Sequence, residues 1–599
     1  MKRTILLLAG SGLVIILFIF CGPLPLPLLE GDSLGSSYYD IQTYGSSQNR
    51  IYRFEDGTIG GTWTRGIQPQ AYPERGTGYN YFDGVNWQPP PEERIESQRT
   101  GWPSYAPLGP TGEVVVAHLS VADTVGLWFS KRTIKGEGEW SEALFTGPEG
   151  QERLLWTRMV TGGADHNNIY LIALTLPLAN YGTLYEGLDG ALLYSRSTDG
   201  GETWDIHNQI LPGMDSSAYS GFYHDGYAFA EPKDNIVAFV VGSFQSDLFL
   251  MKSTDYGQTF EKTIIWDNPY DLVAPSFSTD PFFSADGSVA VALDNSGMAH
   301  IVFGIVKAWY DLEEEQWSFD KLTDGVGYWN ETMEAFSSNL NALDPSCGPE
   351  SELVQDVSLI GWSQDLNGNG VIDILGDVTP YSCFYFSLGM SSMVQLVTDS
   401  QNRLFLVYSS LTESYNSGTR DYHRLWLRSS LDGGQTWGQF YHLDGDDTTS
   451  IFTDYAFPSC AANSDENIYL TFMADIDPGM YCIGDLCPPD ENFIYFTSVP
   501  KDEIVGIDAR KEDTSFEVSQ NFPNPFSETS VIKVTLTEPS EICLDILNLV
   551  GQNVSESKKL TGKAGVNTMI IERKEIPAGV YFYKVETEQA TITQKMIIE

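Results

Sequence analysis

Basic residues are scarce: 34 lysines and arginines stand against 81 aspartates and glutamates in 599 residues, a formal charge of -47. A surface of that sign repels phosphate, which excludes nucleic acid as a partner and admits an anionic ligand only at a local basic exception. Histidine is equally thin, at seven, and no metal is assigned to those present. The seven cysteines include none in a nucleophile motif, so structural staples are favoured over thiol catalysis.

The chain opens MKRTILLLAGSGLVIILFIFCG, with Lys2 and Arg3 ahead of an apolar run from Ile5 to Phe20. That is the layout of a secretory signal within a leader of residues 1–30; an N-terminal membrane anchor is the alternative, for which the run is slightly short. Phe20 in front of Cys21, where a lipoprotein has a small residue, argues against lipidation. Export makes the other cysteines disulfide candidates: Cys482 with Cys487, and Cys347 with Cys383, leaving Cys460 and Cys543 without an obvious partner.

The length calls for several domains or a repeat. Ser197–Asp205 reads STDGGETWD, and the pattern returns as STDYGQTF from Ser253 and SLDGGQTW from Ser430. Degenerate copies end at Trp87, Trp140 and Trp317, so the closing aromatics are 53, 64, 56, 57 and 120 residues apart. A second marker is a polar turn followed by an apolar strand-like run, as in GEVVVAHLS from Gly112 and ENIYLTFMAD from Glu466; it occurs six times. Both markers give six units of short strands with an insertion at about 331–388, and the unmatched ends suit a ring closed by pairing N-terminal with C-terminal strands. A stack of β-sandwiches is the alternative.

The repeated turn resembles the Asp-box, the bacterial neuraminidase repeat, in Ser197, Asp199, Gly201 and Trp204, in Ser253, Asp255, Gly257 and Phe260, and in Ser430, Asp432, Gly434 and Trp437. The resemblance implies an all-β, six-bladed sialidase-like β-propeller over residues 31–499. It also implies boxes away from the substrate face, each packing its aromatic into its blade. A linker of residues 500–517 leads to residues 518–599, where Ile532, Val534 and Leu536 alternate, as do Ile542, Leu544 and Ile546, the pattern of a small β-sandwich. QNFPNPF from Gln520, Gly551-Gln552, GVYF from Gly579 and Lys595-Met596 make this segment similar to the type A C-terminal sorting domain of type IX secretion cargo. That implies the type IX machinery as a partner, passage through the periplasm, and a secreted or surface-attached product.

A sialidase needs an arginine triad for the substrate carboxylate, a Tyr/Glu pair and an acid/base Asp. Arg158 is the one arginine found ahead of a strand marker, so it is the catalytic candidate, and the clamp is not visible. His118, His166 and His224 lie near strand ends and are candidates to face a ligand. Asp365, Asn367, Asn369, Val371 and Asp373 have calcium-loop spacing, with Asp377 one place late for the closing acid; a plain Asx/Gly hairpin fits the same residues. The balance favours an extracellular binding or adhesion module for a glycan or glycoprotein over a sialidase or other glycoside hydrolase. A structural cell-envelope protein is the third reading.

Overall fold

The computed structural model describes residues 31–598, apart from positions 48, 121–124, 271, 347, 349, 356–357, 368, 370, 376–384, 419, 445–452, 477–478, 481–488, 506–515, 520, 522, 549–552, 556, 575 and 588–590. The leader, Cys21, Cys347, Cys383, Cys482, Cys487 and Asp377 lie outside the described residues. Cys460 and Cys543 are free thiols. Among the described residues no helix is long and apolar enough to cross a membrane.

The all-β propeller reading holds, and among the described residues the blades number seven rather than six. Antiparallel sheets follow one another with inner strands Ile51–Arg53, Thr100–Leu108, Leu154–Gly162, Tyr227–Phe229, Phe282–Leu293, Ser391–Thr398 and Asp454–Cys460. The second strands Gly112–Leu119 and Val237–Ser243 are buried at every position because neighbouring blades cover both faces. The first blade escapes a search for apolar runs because its second strand, Ile59–Arg65, reads IGGTWTR. Its neighbours supply the bulk instead. A Cβ on Gly60 would stand 1.9 Å from the Tyr105 hydroxyl, and one on Gly61 2.7 Å from the Leu34 side chain. The described residues of the segment 331–388 form no blade of their own; Leu359–Gly361 within it forms the outer strand of the fifth.

Asp32–Ser37 pairs antiparallel with Asn492–Pro500 and completes the seventh sheet, so the two ends of the ring are joined by backbone hydrogen bonds. The sorting segment forms two further sheets over its own apolar core, which includes the alternating Ile532, Val534, Leu536, Ile542, Leu544 and Ile546.

The three repeated turns share one hydrogen-bond set. The Thr203 N–H and hydroxyl donate to the Asp199 carboxylate at 2.8 and 2.6 Å, and the Gly201 N–H donates to the Ser197 hydroxyl at 2.8 Å. Asp255 and Asp432 repeat these bonds with Thr259 and Thr436. Gly201, Gly257 and Gly434 sit at φ 81°, 74° and 92°, a region that favours glycine. Each closing aromatic reaches the preceding blade rather than only its own: Trp204 packs on Phe129 and Phe145, Phe260 on Tyr194, and Trp437 on Tyr328. Trp317 does not close such a turn; it lies on a side hairpin strand, Gln316–Asp320.

These bonds predict two stability effects. Thr203 and Ser197 hold the Asp199 carboxyl down at about 2. Its contribution is therefore complete above the usual carboxylate range and lost as pH falls from about 4 through 2. Asp199→Ala should cost about 1–3 kcal/mol and Trp204→Ala, a half-buried inter-blade contact, about 2–4 kcal/mol, read by thermal unfolding at pH 7.

Candidate functional site

After closing the seam, the chain crosses the axis of the ring. In this strap Ile41, Thr43 and Ser46 are essentially inaccessible. Ser46 is held from two blades: its N–H donates to Asp225 O at 2.9 Å, and its hydroxyl donates to Gly287 O at 3.2 Å. The Arg50 N–H donates to the Ser459 hydroxyl at 3.1 Å, and the Tyr105 N–H to Asn49 O at 2.8 Å.

The sequence candidate Arg158 is committed to this strap. Its guanidinium donates to Ser46 O at 2.6 Å and pairs with Asp225 at 2.7 Å, both side chains being buried. Asp225 also accepts from the Tyr44 N–H at 2.9 Å and the Trp102 indole at 2.8 Å. Burial, then the Arg158 charge, lowers the neighbouring Arg50 to about 9.

At the strap-side mouth stands an aromatic floor. Tyr44 stacks on Trp102 at 5.4 Å between centroids and meets His224 at 4.7 Å and Phe386 at 4.3 Å. Tyr44, His224 and Phe386 are half-buried. The inner strands aim these groups through β-bulges: Trp102, Trp156, Met393 and Phe457 sit at φ 50–56° where strand register shifts. A bulge re-aims the side chain of an otherwise alternating strand.

His118 stacks on Trp102 at 5.0 Å, and its Nδ1 accepts from the Trp156 N–H at 3.2 Å. Burial, then the charges of Arg75, Arg153, Arg99 and Arg158, hold this imidazole well below its usual range. Burial lowers His224 to about 4. Both are neutral rings at pH 7. Arg75 donates to Thr100 O and the Tyr39 hydroxyl, and Arg99 to Tyr72 O, Ser120 O and Ala71 O, all uncharged acceptors. Their positive charge is therefore not cancelled by a carboxylate in direct contact. Across the mouth, the Asp454 carboxylate accepts the Tyr385 hydroxyl at 2.8 Å and lies 2.9 Å from His423 Nδ1.

Of the sequence candidates, the structure brings Arg158, His118 and His224 together. His166 is elsewhere, 3.5 Å from the Thr161 hydroxyl and edge-on to Tyr52. In the loop from Asp365, the Asn367 and Asn369 amides donate to Asp373 at 3.2 and 2.7 Å, and Val371 donates its N–H to the Asn369 side chain at 2.8 Å. Glu413, buried on the strand Leu404–Asn416, accepts the Leu366 N–H at 2.7 Å and an Asn367 amide N–H. The loop's carboxylate and amide oxygens here accept N–H groups of the loop itself. Among the described residues no group of three or more His, Cys, Asp or Glu is placed as a metal cluster. Sequence reasoning missed Arg75, Arg99 and Glu413; Trp102 and Trp156 had a signal, an aromatic recurring early in successive inner strands.

A family model for the secretion system C-terminal sorting domain matches residues 520–599. The C-terminal segment is a type IX sorting domain. The protein is thereby marked for export, to be secreted or attached at the outer-membrane surface. No curated protein sequence matches the chain. Similar solved folds include an ulvan lyase of polysaccharide lyase family PL25, at 9% identity and TM-score 0.41, covering 78% of this chain and 96% of that one. Trypanosoma rangeli sialidase gives 9% and 0.35, covering 95% and 88%, and the Ruminococcus gnavus intramolecular trans-sialidase 11% and 0.33, covering 79% and 98%. At such values no residue correspondence is drawn.

Arg158→Ala should leave the buried Asp225 without its cation and cost about 3–5 kcal/mol, measured by denaturant unfolding of the full chain. Retention of full stability would mean that the strap is not pinned through this pair.

Proposed function

We propose that this exported protein is an extracellular glycan-binding module and that the strap-side mouth takes an acidic glycan. The observation that carries the reading is the pair of Arg75 and Arg99 near neutral His118, beside a half-exposed aromatic floor, in a chain of net charge -47. Arginines bonded to uncharged groups keep a positive field, which attracts an anion and positions it over rings that can stack on sugar. Their donors are largely occupied by the protein, which favours attraction of a polyanion over a tight bidentate carboxylate clamp.

A carbohydrate-cleaving activity is the second reading, favoured by the Tyr385–Asp454–His423 set at the same mouth. Released sugar separates the two. The binding reading expects alginate to bind without being shortened and no sialic acid to be released from sialosides. Arg99→Gln removes a charge and should weaken alginate binding about 3–10-fold at low ionic strength, with the difference shrinking in salt. Equal binding by the parent and this variant at low salt would count against the site.

We also assign a structural calcium ion to the loop of Asp365, Asn367, Asn369, Val371 and Asp373, with Glu413 standing in for the missing closing acid. Calorimetric titration of the parent should show calcium-dependent heat that Asp365→Ala abolishes. No heat in the parent would leave a plain hairpin.

A further inference from the structure

The strap fills the axis of the ring from one side only. Beneath it a cavity of about 310 Å³ remains, lined by Tyr52, Ala106, Glu231, Ala292, Gln395 and Asn463, which come from six of the seven blades. It opens toward the face of the repeated turns: the Gly200 N–H donates to Asn167 O, in the turn between the first two strands of its blade, and Lys233 and Asn295 line the cavity from equivalent turns. This is the face opposite the aromatic mouth.

Three polar groups on the lining lack partners. The Glu231 carboxyl has no hydrogen-bonding or ionic partner among the described residues, and the buried hydroxyls of Ser47 and Ser464 have none. Buried polar groups are ordinarily satisfied, so two unpaired buried hydroxyls beside a half-buried carboxyl without a partner, all around one small cavity, point to a ligand that supplies the missing bonds.

We propose that this cavity binds one neutral sugar residue, with Glu231 as its central hydrogen-bonding group. Burial raises the Glu231 carboxyl to about 8, so at pH 7 it is an uncharged donor and acceptor. Sugar hydroxyls also donate and accept, which suits this carboxyl and the two serines. The Tyr52 hydroxyl accepts from Asn463 at 3.0 Å and keeps its own hydrogen to donate. Ala106 and Ala292 give an apolar wall for the C–H face of a ring. The charged and titratable groups around the cavity do not displace this assignment. Lys233 bonds Asn295, and Asp399 pairs with Arg403 and Lys501. Burial raises both Tyr52 and Cys460 and lowers Lys233.

The test titrates the full chain with D-glucose, D-galactose and L-fucose by calorimetry and saturation-transfer NMR at pH 6.5 and 9.5. At least one sugar should bind at pH 6.5, with affinity about 30-fold lower at pH 9.5 as Glu231 ionises. Glu231→Gln, which keeps shape and both bonding roles, should bind at both pH values and lose the pH dependence. Glu231→Ala should bind at least 10-fold more weakly, while Arg99→Gln at the far mouth should leave sugar binding unchanged. The proposal is overturned if no sugar binds the parent, if Glu231→Gln retains the 30-fold dependence, or if methylamine binds in place of the sugars with affinity rising with pH.

Discussion

The Arg158–Asp225 pair, with Ser46 held between them, is the contact on which the architecture turns. A ring of blades has two weak places, the seam where its ends meet and the axis where inner strands face one another across a gap. One stretch of chain deals with both: Asp32–Ser37 closes the seam, and the following strap crosses the axis. Burying a guanidinium and a carboxylate is unfavourable unless bonds compensate, and here backbone carbonyls bond both terminal guanidinium nitrogens while an indole and a backbone N–H bond the carboxylate. Arg158, an arginine positioned to bind a ligand by its place on an inner strand, is instead a structural pin.

That use of the axis divides the molecule functionally. On the strap side, positive-φ bulges direct aromatics toward the mouth, and arginines bonded to uncharged groups keep their field. On the other side, the repeated turns are rigid and self-satisfied, and the space under the strap keeps polar groups without partners. The glycan reading of the first face and the sugar reading of the second rest on different residues.

The charge distribution fits the route out of the cell. A net charge of -47 favours solubility, and against that background a small arginine cluster is a distinct local feature. The sorting domain has its own core, made of none of the propeller's residues, so address and propeller are built separately.

The sequence alone determined the β architecture, the closing of the ring by an N-terminal strand, the repeated turns and the sorting segment. Each is a local pattern: alternation, glycine at positive φ, or Asp and Thr four residues apart. The first blade was hidden because Gly60 and Gly61 borrow their bulk from Tyr105 and Leu34 on other elements. Only the tertiary structure decided that Arg158 is a pin, that His118 and His224 join one aromatic cluster while His166 does not, and that Glu413 joins a loop more than 40 residues before it in the chain. The reason is physical: a side chain's role at the centre of a propeller is set by what arrives across the axis, and those partners come from blades far apart in sequence.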